Sequence, residues 1–85
     1  MAYRLEFAPR AHRQFGNLPG SIQARLRPAI EALAENPRPH GVKKLAGEEN
    51  LYRIRVGDYR VIYKIQGEIL VFLIVKIGHR REVYR

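Results

Sequence analysis

Three arginines, Arg53, Arg55 and Arg60, recur within LYRIRVGDYRVIYK at residues 51 to 64, and His79, Arg80, Arg81 and Tyr84 follow in IGHRREVYR at 77 to 85. Guanidinium forks bind phosphate oxygens in pairs, so arginine suits the gripping of a phosphodiester better than lysine does. An imidazole, two guanidiniums and a phenol add stacking surface for bases and positive charge for a backbone, the combination used in RNA recognition. Phosphate binding is therefore the chemistry within reach. With proton transfer added, so is phosphoryl transfer.

Composition agrees. Sixteen Lys and Arg against eight Asp and Glu give a formal charge of +8 and a pI near 10.5, which points to a polyanion as partner. Residues 1 to 42 hold six cations against three acids and residues 43 to 85 hold ten against five, an excess of +3 and then +5. Lys43, Lys44, Lys64 and Arg81 belong to the second group and are the further candidates for RNA binding. The absence of cysteine removes disulfides and thiolate chemistry, as a reducing compartment permits. No pair of histidines or carboxylates has metal-ligand spacing, so neither a metal nor another cofactor is expected. The longest apolar run, ILVFLIV at 69 to 75, is far short of the roughly 20 residues that span a bilayer. The opening MAYRLEFAPR has no apolar signal core, and a cytoplasmic location with no membrane partner is the expectation.

Eighty-five residues predict one domain, 1 to 85, with a small core. YRLEF at 3 to 7 alternates as a strand with one wet face. Pro9 opens a helix in which Ala11, Phe15 and Leu18 share a side. Pro19 and Gly20 break it, and Ser21 is the expected cap of a second helix with Ile22, Leu26, Ala29, Ile30 and Leu33 as its apolar stripe. Pro28 is expected to kink that helix, and ENPRPHG at 35 to 41 to end it. KKLAG, LYRIRV, YRVIYKI and ILVFLIVKI then read as strands. The prediction is an α+β domain, β-α-α-β-β-β(-β), with two N-terminal helices packed on one face of a small, mostly antiparallel sheet.

Gly57-Asp58 and Gly67-Glu68 have glycine first, as type II′ hairpin loops require. A two-residue loop fixes the register, so Arg55 faces Arg60 and Arg53 faces Ile62. One side then carries Tyr52, Ile54, Val56, Tyr59, Val61 and Tyr63, and the helices are expected to cover it. The other carries Arg53, Arg55, Arg60 and Lys64. The same logic through the second loop places Val71, Leu73 and Val75 beneath the arginines as an apolar floor. Like charges directly opposite one another destabilise a sheet, which favours an anionic partner over a solvated face neutralised by Glu48 and Glu49. Tyr84 also fits an ordinary packing role, and His79 an exposed linker position.

LYRIRVGDYRVIY and IGHRREVYR, preceded by a strand and two helices, resemble the RelE/ParE superfamily of toxins from type II toxin-antitoxin systems, and the RelE branch within it. The resemblance covers essentially the whole chain. It implies ribosome-dependent, metal-independent cleavage of mRNA, in which the 2′-hydroxyl attacks the adjacent phosphodiester and the 5′-oxygen leaves. The family's cationic residues on the third strand fall on Arg53 and Arg55, its fourth-strand arginine on Arg60, its late arginine on Arg80 and its tyrosine on Tyr84. In the best-known members a lysine stands where Arg55 is and takes the proton. A neutral guanidine at pH 7 costs roughly 7 kcal/mol, so His79, kept neutral by its arginine neighbours, is the better candidate base. His12 and His40 are expected on the surface. The resemblance further implies an antitoxin partner that covers the arginines and the apolar floor, with the ribosome and mRNA as the other partners. The rival branch, ParE, inhibits DNA gyrase and cuts no RNA.

Overall fold

The computed structural model describes residues 2–45 and 50–77. In chain order these form β1 (Arg4–Phe7), α1 (Pro9–Gly16), α2 (Gly20–Ala32), β2 (Lys43–Lys44), β3 (Leu51–Val56), β4 (Tyr59–Gln66) and β5 (Ile69–Ile77). The strands make one sheet in the order β1-β5-β4-β3-β2, antiparallel except for the β1–β5 pair. None of the described helices is long and apolar enough to cross a membrane.

The helices start where proline fixes the backbone. Ala8 is extended ahead of Pro9, and Pro19 is extended ahead of Gly20. Ser21 is not the cap expected of it, because α2 begins one residue earlier and no side chain caps it. The Pro19 carbonyl instead accepts from the N–H groups of Ile22 and Gln23, each at 3.0 Å, so Ser21 is already inside the helix. The helix also continues through Pro28 to Ala32. Pro28 and Ala24 are both exposed, so the carbonyl left without a donor faces water.

Ala11, Leu26 and Ile30 from the helices and Leu33 at the end of α2 meet Tyr52, Ile54, Val61, Tyr63, Ile65, Leu70, Phe72 and Val75 from the sheet in one core. Each large side chain buried this way contributes about 1.5–3 kcal/mol. The β3–β4 register is the expected one, with Arg55 opposite Arg60 and Tyr52 opposite Tyr63. Gly57 and Gly67 have φ of +60° and +58°, the left-handed conformation that the first position of a II′ loop demands. At Gly57 an added Cβ would also lie 2.6 Å from Arg25 Nη2.

The second hairpin departs from strict alternation. Lys64 pairs with Val71 and Tyr63 with Phe72, but Ile62 then pairs with Ile74, so Leu73 is an extra residue in β5. This β-bulge shifts every later position by one. Val71 stays on the arginine side, whereas Val75 turns into the core beside Val61 and is only 2% exposed. The expectation that Val75 floors the arginines is therefore wrong. Lys76 takes the outward place, opposite Arg60. β1 pairs with β5 only as far as Phe72; beyond it, Gln14 of α1 accepts the Val75 N–H at 2.8 Å and covers the exposed edge.

Candidate nucleic-acid interface

A two-residue loop makes the flanking pair, Val56 and Tyr59, a hydrogen-bonded one. The next pair outward, Arg55 and Arg60, is then of the non-bonded kind, with Cα atoms about 4.5 Å apart and side chains closest together. Lys76 continues this row on β5. Two residues further along, about 6.6 Å by strand rise, a second row runs Lys43, Arg53, Ile62 and Ile74. A third runs Leu51, Lys64, Val71 and Glu6.

The cations thus occupy one end and the middle of the face, over half-buried Ile62, Val71, Leu73 and Ile74. Over low-dielectric surface, the attraction of an anion is stronger than in open water. Arg53, Arg60 and Lys64 are half-buried, while Lys43, Arg55 and Lys76 are exposed. Among the described residues the one ion pair is Arg4 with Glu6 at 3.4 Å, at the far corner of the sheet. None of the six cations has a carboxylate partner there. Glu48 and Glu49, the alternative neutralisers, lie outside the described residues.

The opposite side of the same strands is aromatic. Tyr52, Tyr63, Phe72 and Phe7 stand in register across β3, β4, β5 and β1, with ring centroids 6.0, 5.7 and 4.9 Å apart. Arg38 closes one end: its guanidinium lies 5.3 Å from the Tyr52 ring centroid, and its Nε donates to Tyr52 Oη at 3.0 Å. That hydrogen bond is the main reason the Arg38 pKa is raised. Tyr63 is fully buried and donates its hydroxyl to the Pro37 carbonyl at 2.6 Å. Burial, and then the neighbouring Tyr52, push its pKa up to about 12, against a lowering by Arg38. These contacts tie the loop after α2 to the underside of the strands that carry the arginines.

The structure brings together Arg53, Arg55, Arg60, Lys64 and Lys43. Lys44 pairs with Tyr52 and so belongs to the other side of the edge strand. His79, Arg80, Arg81 and Tyr84 lie outside the described residues. His12 is exposed in a cleft of about 410 Å³ between the helices, away from the arginines. His40, also exposed, shares with Arg55 a groove of about 440 Å³ beside β3. Among the described residues no group of three or more His, Cys, Asp or Glu is placed to hold a metal ion.

Sequence reasoning missed Lys76, Arg38 and Gln14. Lys76 is hidden by the bulge. Arg38 had no detectable signal beyond a charge between two prolines.

A family model described as the ParE toxin of type II toxin-antitoxin systems matches residues 5–84. The chain is 31% identical over 88 residues to the mRNA interferase toxin RelE of Escherichia coli K12, covering 99% of this chain and 92% of that one. It is 32% identical over 82 residues to toxin RelE3 of Methanocaldococcus jannaschii, covering 92% and 91%. Among solved structures, the isolated E. coli RelE toxin superposes with a TM-score of 0.84 at 29% identity, over 98% of this chain and 92% of that one. The archaeal RelE-RelB complex from Pyrococcus horikoshii gives a TM-score of 0.80 at 31% identity, over 94% and 99%.

Proposed function

We propose, from the premise that this chain belongs to the ParE toxin family of type II toxin-antitoxin systems and matches RelE toxins over nearly its whole length, that it is the toxin of such a pair and an endoribonuclease acting on mRNA. One observation carries the reading. Arg55 stands directly opposite Arg60, with Arg53 one row away, on the side of the sheet that the core leaves uncovered. Cross-strand like charges have a cost that a bound phosphodiester reverses.

In the reaction we assign, the 2′-oxygen of the RNA bonds to the adjacent phosphorus and the bond from phosphorus to the 5′-oxygen breaks. A 2′,3′-cyclic phosphate and a 5′-hydroxyl result. Arg53, Arg55 and Arg60 hold the phosphate and stabilise the charge that builds on its oxygens. His79 takes the 2′-hydroxyl proton, Arg80, with Arg81 beside it, stabilises the departing 5′-oxygen by hydrogen bonding while that oxygen takes its proton from water, and Tyr84 orients the 2′-hydroxyl. Lys43 and Lys64 hold neighbouring phosphates. No metal is needed for these steps. The ribosome supplies the fixed mRNA geometry, the site of action is the cytoplasm, and an antitoxin with an acidic or amphipathic segment covers the arginine side.

The purified chain, added to a translation reaction with mRNA 5′ and 3′ ends mapped afterwards, tests the proposal. Cleavage within ribosome-held codons is expected from the wild type, with large losses in Arg60→Ala and Tyr84→Ala. Unchanged cleavage in both variants would reject the residue assignments. The ParE description of the matching family favours a second reading, inhibition of DNA gyrase without nuclease activity. On induction that reading expects DNA damage signalling ahead of any arrest of protein synthesis.

A further inference from the structure

The β-bulge at Leu73 has a chemical result that no alternation of apolar residues reveals. With an unbroken register through the Gly67-Glu68 loop, Val75 would stand opposite Arg60 and Lys76 would point to the helix side. The extra residue reverses both: Val75 pairs with Val61 in the core, and Lys76 pairs with Arg60. A third cation is thereby set in line with Arg55 and Arg60 across three adjacent strands. An all-cationic cross-strand row opposes folding, and bulges are enriched next to sites where they re-aim a side chain. Lys76 is exposed, and among the described residues it has no carboxylate partner.

We infer that Lys76 is a substrate-contacting residue, which together with Arg55 and Arg60 holds an RNA phosphate at the hairpin end of the sheet. The inference rests on the reading of this face as an RNA site. Arg60 stands at the centre of the row, and it and Arg55 are shared with the reacting phosphate, which Arg53 of the next row also holds. Lys76, a compact point charge with three donors, closes the outer side without needing the planar geometry of a guanidinium.

The full-length chain is titrated with salt against a fully 2′-O-methylated single-stranded oligoribonucleotide, which binds but offers no 2′-hydroxyl for attack. Each phosphate contact on a single strand adds about 0.7 to the slope of log affinity against log salt. Lys76→Ala is expected to lower that slope by about 0.7, whereas Arg10→Ala, an exposed change on α1, leaves it unaltered. Lys76→Arg retains the wild-type slope. Lys76→Glu sets a carboxylate opposite Arg60, so its melting temperature is expected to equal or exceed that of the wild type. Its ribosome-dependent cleavage should nonetheless fall about tenfold or more. That pairing separates a lost contact from a damaged fold. A wild-type slope in Lys76→Ala overturns the inference, as does full cleavage by Lys76→Glu. If the wild type itself cleaves no mRNA, the nuclease reading fails, and the salt slope still decides the role of Lys76.

Discussion

Two rows cross this sheet on opposite sides and behave in opposite ways. The row Tyr52, Tyr63, Phe72, Phe7 is made of groups that attract one another, and its ends are closed within the chain by Arg38 and by Phe15, whose ring meets Phe7 edge-on at 6.0 Å. The row Arg55, Arg60, Lys76 is made of groups that repel, and nothing among the described residues neutralises it. Both rows hang on the same backbone. The first completes its interactions by folding, and the second needs something from outside. A sheet this small can thus be stabilised by one surface while the other is kept for a ligand at some cost in stability.

The comparison breaks most visibly on the aromatic side. Phe72→Ala removes a fully buried ring that touches both Phe7 and Tyr63, with an expected loss of about 3–5 kcal/mol. In a domain whose total is of the order of 5–15 kcal/mol, urea denaturation should show partial or complete unfolding. Arg60→Ala should do the reverse. Its midpoint in urea should hold or rise, while cleavage of ribosome-held mRNA falls about 10²- to 10³-fold, the usual effect of removing one donor to a developing anion.

Tyr63→Phe leaves the buried carbonyl of Pro37 without its donor, for an expected loss of about 1–3 kcal/mol. The same hydroxyl fixes an alkaline limit. Its folded-state pKa of about 12 stands above the ordinary 10.0, so the folded chain keeps a proton that the unfolded chain gives up. The associated stability, of the order of 2–3 kcal/mol, is complete below pH 10 and is lost as the pH rises toward 12. Denaturant midpoints measured across that window should fall in the wild type more steeply than in Tyr63→Phe. The smallest effect belongs to the charged row. Arg55→Gln relieves the closest like-charge pair and should raise stability by about 0.2–1 kcal/mol, a gain that 1 M salt should largely erase in a melting experiment.

The first hairpin was legible because each of its positions states its own direction. Tyr52, Ile54 and Val56 alternate with Arg53 and Arg55, and a two-residue loop headed by glycine leaves a single register that keeps all five on their proper sides. The second hairpin was not. In ILVFLIV every residue is apolar, so no polar side chain marks the phase, and an extra residue at Leu73 leaves no trace in the pattern. The shift of Val75 and Lys76 followed from that silence. Pro28 was read as a kink inside the second helix and not as its end, and burial of Leu26 and Ile30 on the other side holds the helix through it.

Sequence by itself determined the order of elements, the arginine-bearing face of β3 and β4, and the charge that calls for a phosphate partner, because periodicity and turn chemistry act over a few residues. Tertiary structure alone decided which residues of β5 join that face, that Arg38 and the Pro37 carbonyl brace its underside, and that Gln14 covers its edge. Those contacts join positions 14 to 61 residues apart in the chain, and only the tertiary packing selects them.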